Sequence, residues 1–134
     1  MKMKNKDIID VMTSLEAIRQ EKLPIKFSWK IETTRRTLKP FHEAVTEAID
    51  KIKTNKAIKD EKGKILVPLN DKGDPMPGTL LFDRKEIQEI NDEIDALLNE
   101  EVEVLNVEIR LSDFPDALEM SPESISKLEK VIKT

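Results

Sequence analysis

The chain contains no cysteine. That excludes a disulfide framework, zinc–thiolate sites and thiol catalysis, and it fits a reducing compartment. Glycine is scarce as well: Gly63, Gly73 and Gly78 are the only three, and their spacing fits no loop that would bring backbone amides onto a phosphate. No apolar run approaches the roughly 18 residues that a membrane span requires. The opening MKMKNKDIID carries charge with no apolar stretch behind it, so no signal peptide is expected. Aromatic residues make up 4% of the sequence, which leaves Ile, Leu and Val to build the core. The formal net charge of −4 is too small for a DNA mimic and of the wrong sign for a general nucleic-acid binder.

Charge is what the chain has in quantity. Asp, Glu, Lys and Arg supply 37% of its 134 residues, against about 25% in an ordinary globular protein. Such a surplus reads as solvated helix faces. The length suits a single domain, 1–134, that buries a core without covalent staples.

The apolar spacing sets the expected elements. Ile8, Val11, Met12, Leu15 and Ile18 recur at helical intervals, predicting a helix over 5–20. In KLPIKFSWKI, 22–31, the period changes: Leu23, Ile25, Phe27, Trp29 and Ile31 alternate with polar residues, as in a strand. Pro24 would place it at a strand start or a sheet edge. The preferred reading is a strand to about Phe27 followed by a helix; the other is a short extended entry with Ser28 as helix cap. Ile31, Leu38, Phe41, Val45, Ala48, Ile49 and Ile52 then share a helical face to about Lys56. The pattern passes through Pro40 in phase, so one kinked helix or two nearly coaxial ones are expected. Residues 59–82 hold every glycine and read as a long-looped β-hairpin, with strands near 65–69 and 79–82 that project from the body. A helix follows from Asp83 to near Asn99. EVEVLNVEIRL, 101–111, is the clearest strand signal, with a phase slip between Val104 and Leu105 that suggests a bulge. Ser121-Pro122-Glu123 opens a last helix. The fold class expected is α+β, three to four helices packed on a small, mainly antiparallel sheet.

Few groups suggest chemistry. His42 is the only histidine; no nucleophile or triad partner accompanies it, and a structural or surface role is the simpler reading. Asp92, Glu93, Asp95, Glu100, Glu101 and Glu103 cluster, yet their spacing matches no calcium loop, and they read as a solvated acidic face. A lone histidine builds no typical transition-metal site. No metal, no cofactor and no enzymatic activity are therefore expected. Lys26, Lys30, Arg35, Arg36 and Lys39 form a basic patch around Trp29. Basic residues interleaved with an aromatic bind single strands in some proteins, but a partner-binding face that meets an acidic surface is the broader reading.

In order and character these segments resemble a family of small proteins of unknown function encoded by tailed phages and prophages of Gram-positive bacteria. The resemblance is carried by KLPIKFSWKI at 22–31, LKPFHEA at 38–44, EIDALLNEEVEVLNVEIRLSDF at 93–114 and SPESISKLEKVI at 121–132. It covers the chain except 57–82. The family brings no catalytic residues. It implies a protein made in the cytoplasm of an infected or lysogenic host, or carried in the virion. The function expected on these grounds is a non-enzymatic interaction protein in particle assembly or structure. The alternative is a host-directed factor that inhibits a defence or regulatory protein or sequesters a nucleotide signal. The apolar stripe ending on Trp29 is either core or an exposed edge. Pro24 points to the edge, and basic 26–39 complements acidic 92–103 between copies, so self-association is expected, most simply as a twofold dimer.

Overall fold

The computed structural model describes residues 1–59, 61–64, 66, 69–74, 81–105, 107–116 and 118–133. The chain divides into two compact units, Met1–Val45 with Leu98–Thr134, and Thr46–Leu97. The described residues form a mixed α+β protein. Its helices are α1 (Asn5–Arg19), α2 (Ile25–Lys56), α3 (Arg84–Asn99) and α4 (Pro122–Leu128), and its strands are β1 (Lys2–Lys4), β2 (Glu101–Glu103), β3 (Ile109–Arg110) and β4 (Ile132–Lys133). The strands make two separate pairs, β1 with β2 and β3 with β4. The single antiparallel sheet expected beneath the helices is replaced by one antiparallel and one parallel pair.

The first unit holds the main core. Ile8, Val11, Met12, Leu15 and Ile18 of α1 are buried, as their spacing indicates. They meet Phe27, Ile31 and Leu38 of α2, together with Val104, Val107, Ile109, Leu128 and Val131. Full burial of one such aliphatic side chain contributes about 1.5–3 kcal/mol. Phe27 and Phe114 pack with ring centroids 4.9 Å apart at a tilt of 54°. Helix α4 begins at the expected place: Ser121 Oγ accepts the Ser124 N–H at 3.1 Å, with Pro122 in the first turn. It lies against α1, where the buried Ser14 hydroxyl donates to the Ser124 carbonyl at 3.3 Å.

The segment 22–31 departs from its expected form. No strand occurs at 23–28; α2 starts at Ile25, with the Ser28 N–H donating to the Pro24 carbonyl at 2.9 Å. A proline just ahead of a helix leaves no donor wasted, so Pro24 suits a helix start as well as a strand start. The alternating run contains two interleaved pairs four residues apart. Phe27 and Ile31 make one, and they join Thr34, Leu38 and Val45 on the buried face. Ile25 and Trp29 make the other and point outward, 88% and 67% exposed. Helix α2 continues through Pro40, so the Arg36 carbonyl has no N–H four residues on.

Residues 101–111 also differ from a single bulged strand. Among the described residues, strand pairing ends at Glu103 and resumes at Ile109, with a different partner. The phase slip is real: Val104 and Val107 are buried while Leu105 is 67% exposed. It marks the gap between two pairings. In the first, Lys2 faces Glu103, Met3 faces Val102 and Lys4 faces Glu101. Opposite charges thus meet across the strands at both ends, and the apolar pair meets between them.

In the second unit, Ala57 pairs with Phe82 in an antiparallel bridge, and the Ile58 N–H donates to the Leu81 carbonyl at 2.8 Å. Of the hairpin expected between 65–69 and 79–82, residues 65, 67, 68, 79 and 80 lie outside the described ones; of the rest, Leu66 donates its N–H to the Ile58 carbonyl at 2.9 Å, and Leu81 and Phe82 likewise meet 57–58. The turn signal at 70–74 holds. Asn70 Oδ1 accepts the N–H groups of Lys72 and Asp74 at 2.9 and 3.0 Å, and Gly73 has φ +81°, a conformation that glycine adopts without steric cost. Lys56 Nζ reaches Glu86 at 3.2 Å and Glu89 at 3.0 Å.

Candidate partner-binding face

Helical phase sorts the basic patch into three groups. Ile25, Trp29 and Arg36 recur at intervals of four and seven, which brings them to one stripe. That stripe lies opposite the buried one of Phe27, Ile31, Thr34 and Leu38. The Arg36 guanidinium carbon sits 5.9 Å from the centroid of the Trp29 ring, within range of a cation–π contact. Lys26 and Lys30 flank the stripe and are exposed. Neither lysine nor Arg36 forms a salt bridge among the described residues.

The backbone beneath this face is held by its own side chains. Thr33 Oγ1 donates to the Trp29 carbonyl at 2.8 Å, and Thr37 Oγ1 donates to the Thr33 carbonyl at 3.1 Å. Trp29 is therefore a large ring on a regular helix, its indole largely in water and one side occupied by Arg36.

Arg35 belongs to a different environment. It reaches Glu16 Oε1 of α1 at 3.3 Å and Glu32 Oε2 at 3.7 Å. Arg19 completes the network, 2.6 Å from Glu32 and 3.3 Å from Glu16. The Glu32 hydrogen bond and its charge, with a smaller contribution from Glu16, raise the Arg19 pKa above its ordinary value. Arg35 Nε and Glu16 Oε2 are enclosed without hydrogen-bond partners. The charge of Arg35 is committed to joining α1 to α2, so it is not presented to a partner. Lys39 is exposed, with Nζ 3.9 Å from Glu43 Oε1. It lines a cavity of about 240 Å³ together with His42, Glu16 and Arg35.

The structure thus brings Trp29, Arg36, Lys26 and Lys30 together and sets Arg35 and Lys39 apart. Ile25 is a member of the face that the alternating pattern concealed. Its signal was the spacing of four to Trp29, legible only once the segment is known to be helical. The acidic cluster gathers no metal site: among the described residues no group of three His, Asp or Glu side chains is placed to hold an ion. Glu103, one of its members, lies 2.8 Å from the Met1 amine, whose hydrogen bond lowers the Glu103 pKa. No described helix is long and apolar enough to cross a membrane. No protein-family model, curated protein or solved structure matches the chain.

Proposed function

We propose that this chain is a non-enzymatic interaction protein of a tailed phage, acting in particle assembly or as a structural accessory in the host cytoplasm, and that the outer face of α2 is its contact surface. The observation that carries the reading is Trp29, 67% exposed on a regular helix with Arg36 over its ring. Tryptophan and arginine are the side chains that contribute most when an interface excludes water. Ile25, 88% exposed one turn earlier, extends the apolar centre. Lys26, Lys30 and Arg36 steer this face toward an acidic surface. Self-association supplies one such surface, with Lys26, Lys30 and Arg36 of one copy against acidic 92–103 of another.

Two measurements test the proposal. The first is retention of phage structural proteins from infected cells by the wild-type chain and by Trp29→Ser and Lys26→Glu/Arg36→Glu variants of unchanged unfolding midpoint. Loss of retention in the variants supports the reading. Equal retention removes α2 as the contact surface, and retention of a bacterial regulatory or defence protein instead assigns the chain a host-directed role. The second is sedimentation equilibrium at several protein concentrations. A mass that rises with concentration, and that Trp29→Ser returns to the monomer, supports self-association through this face; a monomer mass throughout excludes it.

A further inference from the structure

The parallel register of β3 and β4 sets Ile109 beside Ile132 and Arg110 beside Lys133. The isoleucines belong to the core, Ile109 fully buried and Ile132 packed against it. Strand alternation therefore turns Arg110 and Lys133 to the opposite side together. Both are exposed. Two cations held as direct cross-strand neighbours repel each other. The local answer to that repulsion is incomplete: Glu108 Oε2 lies 3.4 Å from Lys133 Nζ, while Arg110 has no salt bridge among the described residues.

This pair borders a cavity of about 450 Å³ floored by Val104 and Val107, and Lys30 of α2 adds a third cation to its lining. Glu108 is the one carboxylate among the described lining residues, and it is already paired with Lys133. We infer that this cavity binds a compact phosphate-bearing anion. Its volume falls within the roughly 300–1,000 Å³ typical of small-molecule sites. The Arg110 guanidinium offers a planar fork of donors matched to two phosphate oxygens, and Lys30 and Lys133 act as point charges beside it. Three cations from three elements favour a ligand bearing more than one negative charge. The valine floor suits a ligand that also carries an organic group, such as a nucleoside diphosphate. Lys30 is shared with the contact face proposed above, but Trp29, Lys26 and Arg36 are not among the described lining residues, so Trp29→Ser tests that face and Arg110→Gln tests this site.

The test is titration of the full, isotopically labelled chain with inorganic pyrophosphate and with adenosine 5′-diphosphate, followed by amide chemical shifts. Saturable shifts confined to the surroundings of Lys30, Arg110 and Lys133 are expected for both probes. Arg110→Gln and Lys133→Gln should each weaken binding by about ten-fold, as loss of a charge-assisted hydrogen bond does. Trp29→Ser should leave it unchanged. A dispersed spectrum for each variant shows that it is folded. Shifts that fail to saturate at millimolar probe, shifts spread over all exposed lysines, or affinities that neither charge substitution alters would overturn the site.

Discussion

Trp29 and Leu38 stand on opposite faces of α2, and their removal should have opposite consequences. Leu38 is fully buried, so Leu38→Ala should cost about 2–5 kcal/mol in urea unfolding. Trp29→Ala should change stability by less than about 0.5 kcal/mol, as exposed substitutions do, and wild-type Trp29 emission should resemble that of indole in water. A cost comparable to that of Leu38→Ala would return the tryptophan to the core. In the other unit, Lys56 sits between Glu86 and Glu89. The Lys56 hydrogen bond and charge hold Glu89 below its ordinary 4.5; the bonds to Glu89 and then Glu86 raise Lys56 above 10.5. The Glu89 contribution to stability is therefore present above the ordinary glutamate value and disappears as pH falls through its lowered one. The Lys56 contribution is present below the ordinary lysine value and disappears as pH rises through its raised one. Lys56→Met should move the Glu89 carboxyl midpoint upward in a carbon-detected titration; an unmoved midpoint would deny the pairing in solution.

Elements with local signals formed where those signals stood. Ser121 caps α4 through the Ser124 N–H, and Ser121→Ala should lower the unfolding free energy by about 1 kcal/mol. Pro40 lies within α2 on an exposed position. Substitution by alanine restores a donor to the Arg36 carbonyl, so Pro40→Ala should stabilise the chain, by up to about 3 kcal/mol; a loss of stability would mean that the helix path depends on the proline. The strands behave differently. Each pairs over two or three residues, too few for alternation alone to announce them. β1 was legible in principle, since Lys-Met-Lys complements Glu-Val-Glu in sign and burial once the two are placed side by side.

Across the molecule the two units differ in how much apolar surface they enclose. The first holds the connected core from Met3 to Val131. In Thr46–Leu97, Ala57 and Ile90 are the buried apolar residues among those described. Local opening follows the density of buried contacts. Amides of α3 over 87–96 should thus exchange with deuterium sooner than those of α1 over 8–18. Equal protection throughout would indicate one cooperative unit.

Sequence alone determined α1, the extent of α3 and the opening of α4, because helical periodicity, caps and turn residues act between near neighbours. It also determined the Asn70–Gly73 turn and the basic composition around Trp29. Tertiary structure decided the rest. The run Ile25, Phe27, Trp29, Ile31 satisfies a period of two and a pair of four-residue spacings equally well. The helical choice was made by the core that receives Phe27, Ile31 and Leu38, and it put Trp29 outside and Arg35 against Glu16. The strand pairings, and with them the meeting of Arg110 with Lys133, join segments remote in sequence. Their register is set by which isoleucines the core buries, a condition that no local stretch of the chain contains.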